Sequence, residues 1–202
     1  QRRLAEVLTQ RRKYVPAFDE YQYLADHFVG ELSYINTLVI QYRLAETIMR
    51  QRHLTLGFLP GFAAPEKAIP LFEKIVASAP NWERSPQAQF NVGWINEQIE
   101  DRDLAIVAYE TGMLHYPDSP LAPLMAFRRA QLLYELAKDA PRDEESCREA
   151  LSAGAGFVRD HPRDSEGETV RGYMKELQEQ LENLYYDRAV YYDRTAKRPK
   201  SA

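Results

Sequence analysis

The 202 residues are 45% hydrophobic with a formal net charge of −4, which suits one domain or a short helical array and excludes a chain built chiefly to neutralise phosphates. Twelve Pro and nine Gly exclude a collagen-like or wholly disordered composition. The lone cysteine, Cys147, excludes an internal disulfide framework or a cysteine-based zinc site, and no stretch reaches the ~18 apolar residues that cross a bilayer as a helix.

In chain order, the apolar periodicity predicts helices over 2–11, 14–28, 33–52, 65–78, 86–100, 102–115, 121–136, 144–160 and 166–194, with no strand alternation. One register recurs along them. Ala68, Phe72 and Pro80 are followed by Ala105, Tyr109 and Pro117, and then by Ala150, Gly154 and Pro162. Ala17 and Tyr21 start the same pattern, with Val29 where the Pro would fall. The physical reading is a helix hairpin. The small Ala lets two helices approach, the aromatic a turn later fills the space between them, and the Pro ends the helix. The partner helix carries its own small residue twelve positions earlier, Gly93 before Ala105 and Ala5 before Ala17.

Two insertions interrupt this spacing: an apolar one, His53 to Ala64, and a charged one, Lys138 to Glu145. The charged one is expected in water. The apolar one presents Phe58, Leu59 and Phe62 as a possible second surface, covered either by the array itself or by a partner. Asp118 with Ser119, and Asp164 with Ser165, stand ahead of new helices where they can cap them.

The Ala-x3-Phe/Tyr-x7-Pro register with a Gly or Ala twelve residues earlier is similar to the tetratricopeptide signature. It implies an all-α, right-handed solenoid of about four hairpins (about 1–30, 31–80, 84–117 and 120–162). A partial fifth, 165–202, stops before its last helix. More narrowly, the chain resembles the outer-membrane assembly lipoprotein family, BamD (YfiO). The residues that carry this are Ala105-x3-Tyr109 running to Tyr116-Pro-Asp-Ser119, then Phe127-Arg-Arg-Ala130. The charged insertion, Phe157-Val-Arg-Asp-His-Pro162 and the aromatic run Tyr185 to Tyr192 complete the likeness. The resemblance implies a scaffold of the β-barrel assembly machinery, lipid-anchored at the periplasmic face of the outer membrane. Its implied partners are the barrel subunit, sister lipoproteins and unfolded outer-membrane protein segments. The chain starts at Gln1 without Met, and the expectation is that a targeting segment and lipidated Cys have been removed. A different tetratricopeptide adaptor of envelope or cytosol is the alternative reading.

Within that resemblance, the first helices of successive hairpins line a concave groove. Register places Tyr42, Glu46 and Arg50 there from one hairpin, Phe90, Trp94 and Gln98 from the next, and Phe127, Gln131 and Tyr134 from the third. Such a groove, aromatic with few charges, suits an extended, partly apolar peptide. The rival reading is that these aromatics pack on one another.

Chemistry-bearing motifs are sparse. His27, His53, His115 and His161 show no ligand spacing, and no Gly-rich phosphate loop or nucleophile elbow occurs. Gly154 and Gly156 fit close helix packing better than a phosphate cradle. The adjacent Glu144 and Glu145 favour a helix dipole rather than forming an acid–base pair. The expectation is therefore a protein with no enzymatic activity, no cofactor, no metal and no nucleic-acid partner. Adjacent tyrosines at 185–186 and 191–192 diverge by about 100° on a helix, so some must face solvent.

Overall fold

The computed structural model describes residues 2–28, 34–50 and 64–196. Val29, His53 and the surface proposed at Phe58, Leu59 and Phe62 lie outside the described residues. Every regular element among the described residues is helical: α1 (Arg2–Gln10), α2 (Tyr14–His27), α3 (Tyr34–Arg50), a 3₁₀ turn (Pro65–Ala68) running into α4 (Ile69–Ser78), α5 (Ser85–Gln98), α6 (Arg102–His115), α7 (Ala122–Asp139), α8 (Glu144–Asp160) and α9 (Gly167–Ala196). The chain divides into two compact units, Gln1–Ser119 and Pro120–Ala202.

The helices sit within a few residues of the periodic segments, and the departures have local causes. The helix expected from Pro65 opens as a 3₁₀ turn because Pro70 has no N–H, so α-type bonding begins only with α4. The helix expected to stop at Leu136 continues to Asp139, with Ala137 fully buried, until Pro141 ends it. Part of the charged insertion is thus helix, although Lys138, Asp139, Pro141 and Arg142 are exposed as expected.

Capping follows the sequence only in part. Asp164 accepts the Glu166 N–H at 2.9 Å ahead of α9. Before α7 no side chain caps. Leu121 holds the cap position, and Pro123 in the first turn lacks an N–H that would need an acceptor. Asp101 and Asp143 cap α6 and α8 through Leu104 N–H and Glu145 N–H.

Prolines 80, 117, 141 and 162 share one turn geometry. The residue before each, Ala79, Tyr116, Ala140 or His161, has φ between −141° and −118° and ψ between 54° and 66°. This backbone lies outside the αR region, which a following Pro disfavours. Each of those four carbonyls then accepts the N–H three residues on, from Trp82, Ser119, Asp143 or Asp164, at 2.9–3.1 Å.

In the first unit each helix packs chiefly on its neighbours in sequence. The register residues form its interior: Ala5, Ala17, Ala68, Phe72, Ala105 and Tyr109 are all fully buried. Gly93 of α5 lies flat against the Tyr109 ring of α6. A methyl group built on it would stand 2.5 Å from Tyr109 Cε1. In the second unit α7, α8 and α9 pack mutually around Met125, Leu133, Cys147, Phe157, Val170 and Leu177. Gly154 abuts Met174 of α9, where a methyl would come within 2.9 Å of Cγ, while Gly156 has open space beside it.

Candidate functional site

In the first unit, α3 and α5 border a cleft of about 450 Å³ lined by Tyr42, Glu46, Met49, Arg50, Glu83, Arg84, Gln87 and Asn91. Tyr42 is its floor. The ring is only 3% exposed, held edge-on by Phe72 at 5.6 Å and Trp82 at 5.8 Å, and its hydroxyl accepts from Asn91 Nδ2 at 3.2 Å. The Arg84 guanidinium sits 5.5 Å above the ring. Burial, with the Glu46 charge second, pushes the Tyr42 phenol above its ordinary value, so it stays protonated. Along the rim Arg50 pairs with Glu46 at 3.3 Å, and Gln87 Nε2 donates to Asn91 Oδ1 at 3.1 Å.

Three of the nine groove residues, Tyr42, Glu46 and Arg50, therefore meet in one cleft. Their α5 wall is Gln87 and Asn91. Phe90 is half-buried against Tyr109, with ring centroids 5.7 Å apart. Trp94 is half-buried against the core, and Gln98 is exposed at the end of α5. The cleft is polar, unlike the aromatic groove expected. The reason is that α5 turns its aromatics toward α6 and the core, and its amide side chains toward α3. Such a lining offers amide donors and acceptors to a peptide main chain, with a guanidinium on either side for acidic groups.

Phe127, Gln131 and Tyr134 lie together on α7 in the second unit. Phe127 is half-buried 6.1 Å from Phe157. Gln131 accepts from Arg128 at 3.2 Å and donates to Glu135 at 3.1 Å. Tyr134 stacks on Tyr173 of α9 at 4.2 Å with planes 13° apart, and its hydroxyl donates to Glu176 at 2.7 Å, beside Lys138 at 3.1 Å. Burial first, and the Glu176 carboxylate second, push the Tyr134 phenol up to about 12. Within this unit the two aromatics are engaged by their neighbours, as the packing alternative requires.

The second unit has its own groove, about 910 Å³, along α9 and the α7–α8 turn. It is lined among others by Lys138, Arg142, Leu184, Arg188, Tyr191 and Tyr192. Periodicity alone did not single out Arg84, Gln87, Asn91 or Arg142. The available signal was the polar pair Gln87 and Asn91, four apart on one face of the helix.

No cluster of His, Cys, Asp and Glu among the described residues could hold a metal ion. Cys147 is buried, receives Gln180 Nε2 at 2.9 Å, and burial pushes its thiol away from the reactive thiolate. No described helix is long and apolar enough to cross a membrane.

No protein-family model matches the chain, and no curated protein does. Among solved structures it is similar to the yeast histone chaperone Hif1, a scaffold protein recruiting protein complexes to core histones. That likeness has 10% identity and a TM-score of 0.37 over 92% of this chain and 93% of that one, too low a score to carry an argument.

Proposed function

We propose that this protein is a non-enzymatic tetratricopeptide-type scaffold that holds extended segments of other proteins, and that it serves β-barrel assembly from a lipid anchor at the periplasmic face of the outer membrane. The observation that carries the scaffold reading is the cleft over Tyr42. It is built by α3 and α5, the first helices of consecutive hairpins, where the repeat register expects a client. The register itself supports the hairpin class, since most of its small and aromatic positions in the first unit are fully buried. The assembly role rests on the resemblance in sequence organisation.

A pull-down from envelope extract with the full-length protein tests both, run beside a variant carrying Arg50→Ala, Arg84→Ala and Gln87→Ala. None of the three side chains is buried, so circular dichroism should show the variant folded. Recovery of the barrel subunit and barrel precursors by wild type, with loss of the precursors by the variant, is the expected result. Recovery of neither by folded wild type overturns the assembly role. A different client lost on the same substitutions would keep the cleft and replace assembly with another adaptor function.

A further inference from the structure

The acidic total of the chain conceals a basic end. Residues 2–13 hold Arg2, Arg3, Arg11, Arg12 and Lys13 against the single carboxylate of Glu6. That is a charge of +4 in a chain whose total is −4, so the remaining residues carry −8. Such an asymmetry within one chain points to a partner surface of negative sign.

The structure places these charges outward. Helix α1 turns Ala5, Leu8 and Thr9 inward: Ala5 is fully buried, Leu8 rests on the core, and the Thr9 hydroxyl donates to the Ala5 carbonyl at 2.9 Å. At about 100° per residue, Arg3, Leu4 and Val7 then fall together on the other side. Leu4 is 48% exposed and Val7 41%. Glu6 points along the flank to Arg2, whose Nε donates to it at 3.1 Å, so the outward side carries no carboxylate of α1. The helix closes with Arg12 in the left-handed region at φ 57° and with the Lys13 N–H on the Leu8 carbonyl at 2.9 Å. That turn leaves Arg11, Arg12 and Lys13 exposed at the helix end, followed by Val15, 38% exposed. Arg3, Arg11, Arg12 and Lys13 form no ion pair with any described residue. Asp19, the first carboxylate of α2, is taken by Lys74 at 3.0 Å.

The patch therefore combines unpaired cations with exposed aliphatic side chains set between them. Cations are stabilised by phosphate oxygens, and Leu4 and Val7 by a layer from which water is excluded. An anionic bilayer surface offers both in one plane, and long arginine side chains reach back from the boundary to the headgroups. A nucleic acid would match the charge and leave Leu4 and Val7 uncovered. The acidic remainder of the chain is repelled by the same surface, which turns α1 toward it.

We propose that α1 and the turn after it dock on an anionic phospholipid surface. Arg3, Arg11, Arg12 and Lys13 take headgroup phosphates, and Leu4 and Val7 enter the boundary beneath them. The patch shares no residue with the cleft over Tyr42 and needs no lipid anchor, so the inference goes beyond the client-holding reading and stands without it.

The test is co-sedimentation of the 202-residue chain with vesicles of phosphatidylcholine alone and of equal parts phosphatidylcholine and phosphatidylglycerol. The expected result is partition onto the mixed vesicles only. Arg11→Gln with Arg12→Gln should weaken it about twenty-fold, and Leu4→Gln with Val7→Gln about ten-fold. All four side chains are exposed, so circular dichroism should show both variants folded. No partition onto the mixed vesicles, or equal partition onto neutral ones, overturns the proposal. Loss on the arginine pair alone would make the contact one of charge only and overturn the docked helix. Tighter binding of a duplex DNA probe through the same arginines would assign the patch to nucleic acid instead. Self-association without vesicles, abolished by the arginine pair, would assign it to the acidic surface of a second copy; either result overturns the lipid assignment.

Discussion

Between α5 and α6 a tyrosine ring is pressed onto a glycine in the dry interior, and the Tyr109 hydroxyl reaches the Glu97 carboxylate at the edge. Between α8 and the far half of α9 the contact is a net of exposed groups: Glu144, Arg148, Tyr185 and Arg188. Both pairs are antiparallel neighbours in sequence, yet one is fixed by shape and the other by charge. Shape is unforgiving of a single methyl group. Exposed charge is screened, tolerant and weak.

The widest break in this contrast should come from Phe72→Ala, which empties a fully buried ring position beneath Tyr42. It should cost about 3–5 kcal/mol in urea unfolding of the first unit. Gly93→Ala comes next, at about 1–3 kcal/mol, because the Tyr109 ring cannot retreat from the added methyl. Its partner experiment is Gly156→Ala, where space is open and the helix should gain about 0.5–1 kcal/mol. Equal effects at the two glycines would refute the close-packing role of Gly93.

A smaller effect is set by Tyr134. Its folded pKa is raised, so the stability it contributes is fully present below the ordinary tyrosine value near 10 and is lost as pH rises through about 12. Ultraviolet titration should show a late-ionising tyrosine that Tyr134→Phe removes. The variant should also lose less stability between pH ~10 and ~12 than wild type.

The smallest effect belongs to Glu144→Gln. Its carboxyl is held below the usual range, first by the Tyr185 hydroxyl and then by Arg148 and Arg188. That contribution is present above the ordinary glutamate value and fades as pH falls through the lowered one. The substitution should leave the global unfolding midpoint unchanged and speed amide exchange in residues 183–196 alone.

Much of this was legible beforehand because helical periodicity and a spaced Ala–aromatic–Pro register are local properties of the chain. The burial of Ala5, Ala17, Ala105 and Tyr109 follows from the register, as do the ends of α4, α6 and α8 ahead of Pro80, Pro117 and Pro162. The cleft was less legible. Register placed Tyr42, Glu46 and Arg50 together, but which face of α5 meets α3 depends on rotations of a few tens of degrees. Those rotations are fixed by the Tyr42–Asn91 hydrogen bond and the Phe90–Tyr109 contact. Both join residues distant in sequence, which no window of neighbours contains. Likewise Tyr134 reads as a groove residue until Tyr173, thirty-nine positions on, is seen to cover it.

Three of the four proline turns carry a consequence for how such a chain changes over time. Because the joints before Pro80, Pro117 and Pro162 have nearly the same backbone angles and close with the same carbonyl–amide bond, the chain leaves α4, α6 and α8 by one standard coupling. A duplicated or deleted stretch that begins and ends at these prolines preserves the joint on both sides. Lineages could therefore lengthen or shorten the array in whole hairpins, and an engineer could splice at Pro80 or Pro162 without redesigning the junction.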